Sequence, residues 1–140
     1  ELIPLAQLIT PNLFEAETLL DRKVENLEEM KSAARDLQQL GCRWVVVKGG
    51  HLSSESQAID VVYNGKDFHL LKSARFTSKN THGTGCTFAS AIAASLAKGA
   101  EPLDAIKKAK EFITEAIRTG LPIGKGHGPT NHFVGMNTKW

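Results

Sequence analysis

The run Trp44-Val45-Val46-Val47 constrains the fold more than any other part of the chain. β-Branched side chains favour extended backbone. No polar residue alternates with them, so the strand they form has to be covered on both faces, as in a parallel sheet lying between helices. The run stops abruptly at Lys48-Gly49-Gly50-His51. Helical and extended patterns alternate around it. Leu8-Ile9-Thr10 reads as a short buried strand closed by Pro11. Residues 12–20 read as a short helix capped by Asn12, with Leu13, Ala16, Leu19 and Leu20 on one face. Residues 26–40 read as a stronger helix. Asn26 is its cap, Glu28 and Glu29 lie in its first turn, and Leu27, Met30, Ala34, Leu37 and Leu40 form its stripe, with Gly41 as the stop. Residues 59–63 and 68–71 read as two strands around the Asn64-Gly65 turn signal. Residues 75–80 read as a polar, mobile connection.

Two further helices follow. Residues 84–98 are apolar nearly all round, through Phe88, Ala89, Ile92, Ala93, Leu96 and Ala97, which predicts a buried helix stopped by Gly99. Pro102 opens the last helix, whose stripe is Leu103, Ile106, Ala109, Ile113, Ala116 and Ile117. The Gly- and Pro-rich tail has room for one short strand near Phe133. This alternation, with a hairpin inserted, predicts a layered α/β fold with a mostly parallel sheet, and 140 residues suit one domain.

Composition excludes several classes. With 41% hydrophobic and 23% charged residues, the chain is neither disordered nor fibrous. No apolar run approaches the roughly 18 residues of a membrane span. Cys42 and Cys86 are too few for a disulfide framework and read as reduced thiols in a cytoplasmic protein. Residues 1–40 carry 8 acids and 4 bases, whereas residues 41–140 carry 7 acids and 13 bases. The excess suits either solvated helix faces or a phosphate-bearing ligand of the later segment. Aromatics make up only 6% and no long basic run occurs, so no nucleic-acid partner is expected. The start, Glu1-Leu2-Ile3-Pro4, reads as a piece cut from something longer or as a processed N-terminus.

The chemistry concentrates in Thr81-His82-Gly83-Thr84-Gly85-Cys86-Thr87. Glycines feeding a helix N-terminus leave room for an anion against amides that have no internal partner. The stretch is neither a Walker A loop nor a dinucleotide-binding fingerprint. A plain tight turn before a core helix is the competing reading. Cys86 falls in the first helical turn, where the dipole favours a thiolate. A Cys/His hydrolase with His82 or His51 is a weaker alternative, and Cys42 reads as a small buried hydrophobe. Lys48 and Gly50 lie where the Val-rich strand opens, beyond the carboxyl end at which parallel sheets bind ligands. A lysine there meets phosphate as a point charge, or it is simply a strand-end lysine. Asn12 and Glu15 have capping-box spacing, and on their residues alone they read as structural.

Four stretches occur in one order: Thr10-Pro11-Asn12-Leu13-Phe14-Glu15-Ala16-Glu17, Val47-Lys48-Gly49-Gly50-His51, residues 80–87, and Gly126-His127-Gly128-Pro129-Thr130-Asn131-His132-Phe133. Together they resemble the hydroxymethylpyrimidine/phosphomethylpyrimidine kinases of thiamine biosynthesis, in the ribokinase superfamily. The resemblance runs over essentially the whole chain but over only the C-terminal half of a family domain. It implies that residues 1–140 are the nucleotide- and phosphate-binding half of a ribokinase-like domain, with most pyrimidine contacts in the other half. It implies ATP-dependent phosphorylation of a pyrimidine hydroxymethyl group and then of the monophosphate. Gly83, Thr84, Gly85 and Cys86 match the anion hole, with Cys86 as the base where most ribokinase relatives carry Asp. Lys48, beside Gly50, matches the lysine for the ATP phosphates. Asn12 and Glu15 match the motif that organises Mg²⁺ and phosphates through water, which overturns their structural reading. An isolated half would leave a sheet edge that a partner chain or dimerisation has to cover, and the resemblance implies a homodimer, in keeping with the cytoplasmic setting read from the cysteines. A pyridoxal kinase of the same branch and a non-catalytic nucleotide- or phosphate-binding module completed by a partner chain are the rival readings.

Overall fold

The computed structural model describes residues 1–50, 57–76, 78, 80–121, 123 and 125–136. His51, and Thr77 and Lys79 of the polar connection, lie outside the described residues. The chain divides into two compact units, Glu1–Arg75 and Phe76–Trp140.

The first unit is a sheet covered by two helices. Its elements are β1 (Leu8–Ile9), α1 (Leu13–Leu20), α2 (Leu27–Gln38), β2 (Trp44–Lys48), β3 (Gln57–Tyr63) and β4 (Phe68–Ala74), and the strand order is β1-β2-β3-β4. β1 and β2 run parallel, with Leu8 opposite Trp44. α1 and α2 supply the connection that a parallel pair requires. β3 lies antiparallel to β2 and to β4. The sheet is therefore mixed rather than mostly parallel, because the hairpin adds two antiparallel pairings to the one parallel pair. The Asn64-Gly65 signal holds. Asn64 Oδ1 accepts the N–H groups of Lys66 and Asp67 at 2.8 and 2.6 Å, and Tyr63 stacks on Phe68 with ring centroids 4.4 Å apart.

β2 is covered on both faces, as its composition predicts. Val45 and Val47 join Met30, Ala33, Ala34 and Leu37 of α2 in one core, together with Val61 of β3. Val46 and its cross-strand partner Val62 point the other way and are equally buried. Two stripe residues depart from expectation. Leu40 lies past the end of α2 and is exposed, because the helix stops at Gln38. Leu19 is exposed beside the outer edge of β1, where a hollow of about 510 Å³ is lined by Ile3, Ile9, Pro11, Phe14 and Leu19.

The second unit packs α3 (Thr84–Ala97) against α4 (Pro102–Arg118). α4 buries Ile106, Ala109, Ile113 and Ala116, as its periodicity predicts. α3 does not have the all-round burial expected of it. Thr87, Phe88 and Ile92 are buried, whereas Ala89, Ala93 and Ala97 are exposed. Alanine is the strongest helix former and is cheap to expose, so a run of it reports helix and not burial. Among the described residues no strand forms near Phe133, where one was expected. Residues 132–135 form a turn, and the extended pairing falls instead at Pro129, which bridges to His82. Among the described residues no helix is long and apolar enough to cross a membrane.

α1 and α2 are joined by a turn that Glu17 fastens. Its carboxylate accepts the Val24 N–H at 3.0 Å and the Lys23 ammonium at 3.1 Å. These two bonds hold its pKa below the usual carboxylate value of 4.5. A lowered pKa means stabilisation that is complete above the ordinary carboxylate range and lost as pH falls through the lowered value. Glu17→Gln should therefore lower the urea midpoint at pH 7 and match the wild type in acid. A gap that persists at low pH would assign the effect to packing.

Candidate functional site

In the first unit, β1 and β2 end side by side. The Lys48 N–H donates to the Pro11 carbonyl at 2.9 Å, and Asn12 and Lys48 form a parallel bridge just beyond the strands. Asn12 then caps α1. Its Oδ1 accepts the Glu15 N–H at 2.8 Å, and Glu15 Oε2 accepts the Asn12 N–H at 2.7 Å. The capping box read from spacing is thus real. It also places Asn12 and Glu15 beside Lys48, at the carboxyl ends of two parallel strands. Among the described residues, Glu15 keeps its second carboxylate oxygen free of protein donors. Lys48 is half-buried and forms no ion pair among the described residues.

Gly49 and Gly50 serve different purposes. A Cβ on Gly49 would lie 2.1 Å from the Ile59 carbonyl oxygen and 2.8 Å from the Met30 methyl, so only glycine fits. Its N–H donates to Asp60 Oδ1 at 3.1 Å. Gly50 is open to solvent, and a Cβ added there would meet no atom within 4 Å among the described residues. Asp60, buried and in register with Lys48, sets the direction in which the chain leaves β2. Sequence reasoning missed it, although a lone acid inside the apolar segment Ile59-Asp60-Val61-Val62 was the available signal.

In the second unit, Gly83 occupies the cap position of α3 in the left-handed region, at φ 85° and ψ 0°. The first helical bond runs from the Thr87 N–H to the Gly83 carbonyl at 2.9 Å, and the Thr84 hydroxyl donates to the Thr81 carbonyl at 2.7 Å. Among the described residues, the N–H groups of Gly85 and Cys86 have no backbone acceptor and no side chain caps the helix, and its first turn carries no acid. The positive end of the helix dipole is therefore open to an external anion. Cys86 is exposed there. Among the described residues no histidine bonds to it, His82 included; His51, the other histidine considered for a Cys/His pair, lies outside the described residues. Cys42 behaves as expected of a buried thiol: burial pushes its pKa up, and it donates to the Leu37 carbonyl.

Among the described residues no three His, Cys, Asp or Glu side chains converge. Glu15 with its free oxygen suits the alternative arrangement, in which a magnesium ion keeps most of its waters and takes few carboxylates.

This α/β architecture is the ribokinase-like fold. The chain superposes on the ADP complex of Bacillus subtilis pyridoxal kinase with a TM-score of 0.90 at 44% identity, over 94% of this chain and 52% of that one. It belongs to the phosphomethylpyrimidine kinase family, which it matches over residues 1–131. It is 52% identical to the thiamine biosynthesis bifunctional protein ThiED of Geobacter sulfurreducens, over 95% of this chain and 27% of that protein. It is 43% identical to the hydroxymethylpyrimidine/phosphomethylpyrimidine kinase of Bacillus subtilis, over 95% of this chain and 49% of that protein. The chain thus spans between about a quarter and a half of the length of these relatives.

The two glycines after Lys48 separate packing from access. Gly49→Ala should cost about 1–3 kcal/mol through overpacking, whereas Gly50→Ala should stay within roughly 0.5 kcal/mol of wild type. Urea denaturation of both variants checks this, and equal midpoints would contradict the tight approach at Gly49.

Proposed function

We propose that residues 1–140 act as the nucleotide- and phosphate-binding half of a kinase that phosphorylates hydroxymethylpyrimidine and then its monophosphate, using ATP, in thiamine biosynthesis. The observation that carries this reading is the open amide turn at Gly83–Cys86, with an exposed thiol in it, in a chain of the phosphomethylpyrimidine kinase family. Each unit contributes its own groups. In the first, Lys48 and Gly50 meet ATP phosphates. Asn12 and Glu15 would hold Mg²⁺ through water, and that ion supplies charge neutralisation to phosphate oxygens. In the second, the amides of Gly83, Thr84, Gly85 and Cys86 receive the negative charge of the phosphoryl group in flight.

Phosphoryl transfer passes through a loose transition state, so positioning and electrostatics do most of the work. The substrate hydroxyl oxygen bonds to the γ-phosphorus as the bond to the β-phosphate oxygen breaks and ADP departs. The hydroxyl proton passes late to the Cys86 sulfur. Unpaired thiols at Cys42 and Cys86 suit a reducing, cytoplasmic setting. A homodimer is the assembly we propose. The outer edge of β1, beside exposed Phe14 and Leu19, is a surface that a second chain would cover.

Pyridoxal phosphorylation is the second reading, favoured by the 44% identity to both the Bacillus subtilis pyridoxine kinase and the pyridoxal kinase structure. To separate the two, the chain is given ATP and Mg²⁺ with hydroxymethylpyrimidine or with pyridoxal. It is tested alone and joined to the further length its relatives carry. Phosphorylation of the pyrimidine in preference to pyridoxal supports the first reading, the reverse supports the second, and transfer to neither in both forms overturns the kinase assignment.

The residue roles are separable. Lys48→Ala should weaken ATP binding, measured calorimetrically, while Lys98→Ala at the far end of α3 should not; equal effects would demote Lys48 to a surface charge. Cys86→Ala should lower kcat by roughly 10²–10⁴-fold, the usual contribution of a general base, with little change in ATP affinity. Cys86→Asp should recover part of the rate, because a carboxylate stays ionised at a helix N-terminus. An Ala variant as fast as wild type, or a phosphorylated Cys86 peptide on the reaction path, would remove the base assignment.

A further inference from the structure

The stretch 126–133 is part of the family resemblance, yet none of the chemistry above uses it. It forms a strap across the second unit. At one end Asn131 is tied to the C-terminus of α4: its N–H donates to the Ala116 carbonyl at 3.0 Å and its Nδ2 to the Thr119 hydroxyl at 3.2 Å. Asn131 Oδ1 also accepts the Phe133 N–H at 3.0 Å, which fixes the chain on either side of His132. In its middle the strap is joined to the turn that precedes α3. The His82 N–H donates to the Gly128 carbonyl at 3.1 Å, and the Thr130 N–H donates to the His82 carbonyl at 3.3 Å. From this anchored frame His132 reaches the first turn of α3. Its Nε2 lies 2.8 Å from the Thr87 hydroxyl and 3.5 Å from that of Thr130. Both threonines are buried.

These bonds bracket the open amides. The backbone pairing at His82 holds the turn from before Gly83, and the Thr87–His132 pair holds the helix from after Cys86. Between them the turn's own bonds run from the Thr84 hydroxyl and N–H to the Thr81 carbonyl, while Gly83 offers no side chain and no side-chain cap is present among the described residues, so nothing within the turn fixes the Gly85 and Cys86 amides. Donors aimed at a developing charge are effective only when their direction is set beforehand. Leaving a buried hydroxyl without a partner is unfavourable, so Thr87 and His132 hold each other in place.

We infer that His132 is a positioning residue that, through Thr87, holds the Gly83–Cys86 amides in their anion-accepting orientation. This rests on the reading of that turn as a phosphate site. His132 touches neither phosphate nor substrate in this role. It acts by fixing the first turn of α3 against a strap anchored on α4.

The test uses the whole chain and inorganic phosphate, followed by NMR through the amide signals of Gly83, Gly85 and Cys86. Thr87→Val and His132→Phe should each weaken phosphate binding roughly 3- to 10-fold, the scale of one hydrogen bond. The double variant should be no weaker than either single one, because both remove the same link. His132→Gln, which returns a polar group to the position of Nε2, should restore affinity. Hydrogen exchange at the Thr87 amide should accelerate in both single variants, while that at Ile92 should not; the isosteric Thr87→Val keeps the test open if His132→Phe fails to fold. Phosphate that perturbs these amides equally in wild type and variants would overturn the positioning role and leave the phosphate reading intact. A wild type whose amides ignore phosphate would overturn the phosphate reading, and exchange at Thr87 would then decide the clamp: faster exchange in the variants supports it, unchanged exchange overturns it.

Discussion

The burial of β2 on both faces is the constraint on which the first unit depends. Val45 and Val47 fill the core beneath α2, while Val46 faces away and is buried as well. A strand so covered has little freedom of register, because a slip by one residue would exchange its two faces. The consequence reaches the functional groups directly. With β2 fixed against β1, the Lys48 N–H meets the Pro11 carbonyl, and the capped start of α1 is set alongside the lysine. Core packing thus determines which side chains share the carboxyl end of the sheet.

The second unit relies on a deficiency. A helix ordinarily satisfies its first N–H groups with a capping side chain, or balances its dipole with an acid in the first turn. Among the described residues α3 has neither. α1 and α2, by contrast, begin with Asn12 and Asn26, each accepting an N–H three residues on. The chain therefore has the means to cap helices and withholds it at α3 and α4, and of these two α4 carries an acid, Asp104, in its first turn whereas α3 does not. The amides left over at Gly85 and Cys86 are available to a ligand, while further along the helix Phe88 and Ile92 are buried.

Much of this was legible in the residues, where a single physical rule governed the outcome. The doubly buried strand followed from an unbroken β-branched run, and the caps at Asn12 and Asn26 followed from spacing. The misreadings arose where one pattern serves two ends. Alanines along α3 satisfy helix propensity and an apolar interior equally well, and here they are exposed. Leu19 and Leu40 fit helical stripes but lie at an edge and beyond a terminus. Asp60 and His132 were overlooked for a different reason. Each acts through a partner distant in sequence, Gly49 or Thr87; the lone acid among apolar neighbours was a local sign at Asp60, but no local spacing records either pair. The capping box at Asn12 and Glu15 was legible too, but its coincidence with Lys48 depends on strand pairing.

That coincidence bears on whether one pair of residues can serve both structure and ligand. A capping box engages one oxygen of Glu15 and the side-chain oxygen of Asn12. It leaves the second carboxylate oxygen of Glu15 without a protein donor among the described residues, at the end of the sheet where Lys48 emerges. A carboxylate free to rotate would lose side-chain entropy on meeting a hydrated cation. One already held by the Asn12 N–H has met that cost in folding, and its remaining oxygen has a defined direction. Magnesium dehydrates reluctantly and is satisfied by an outer contact of this kind. The structural and metal-organising readings of Asn12 and Glu15 are therefore compatible: the cap orients the group, and its unused oxygen is what the proposed ion would meet through water.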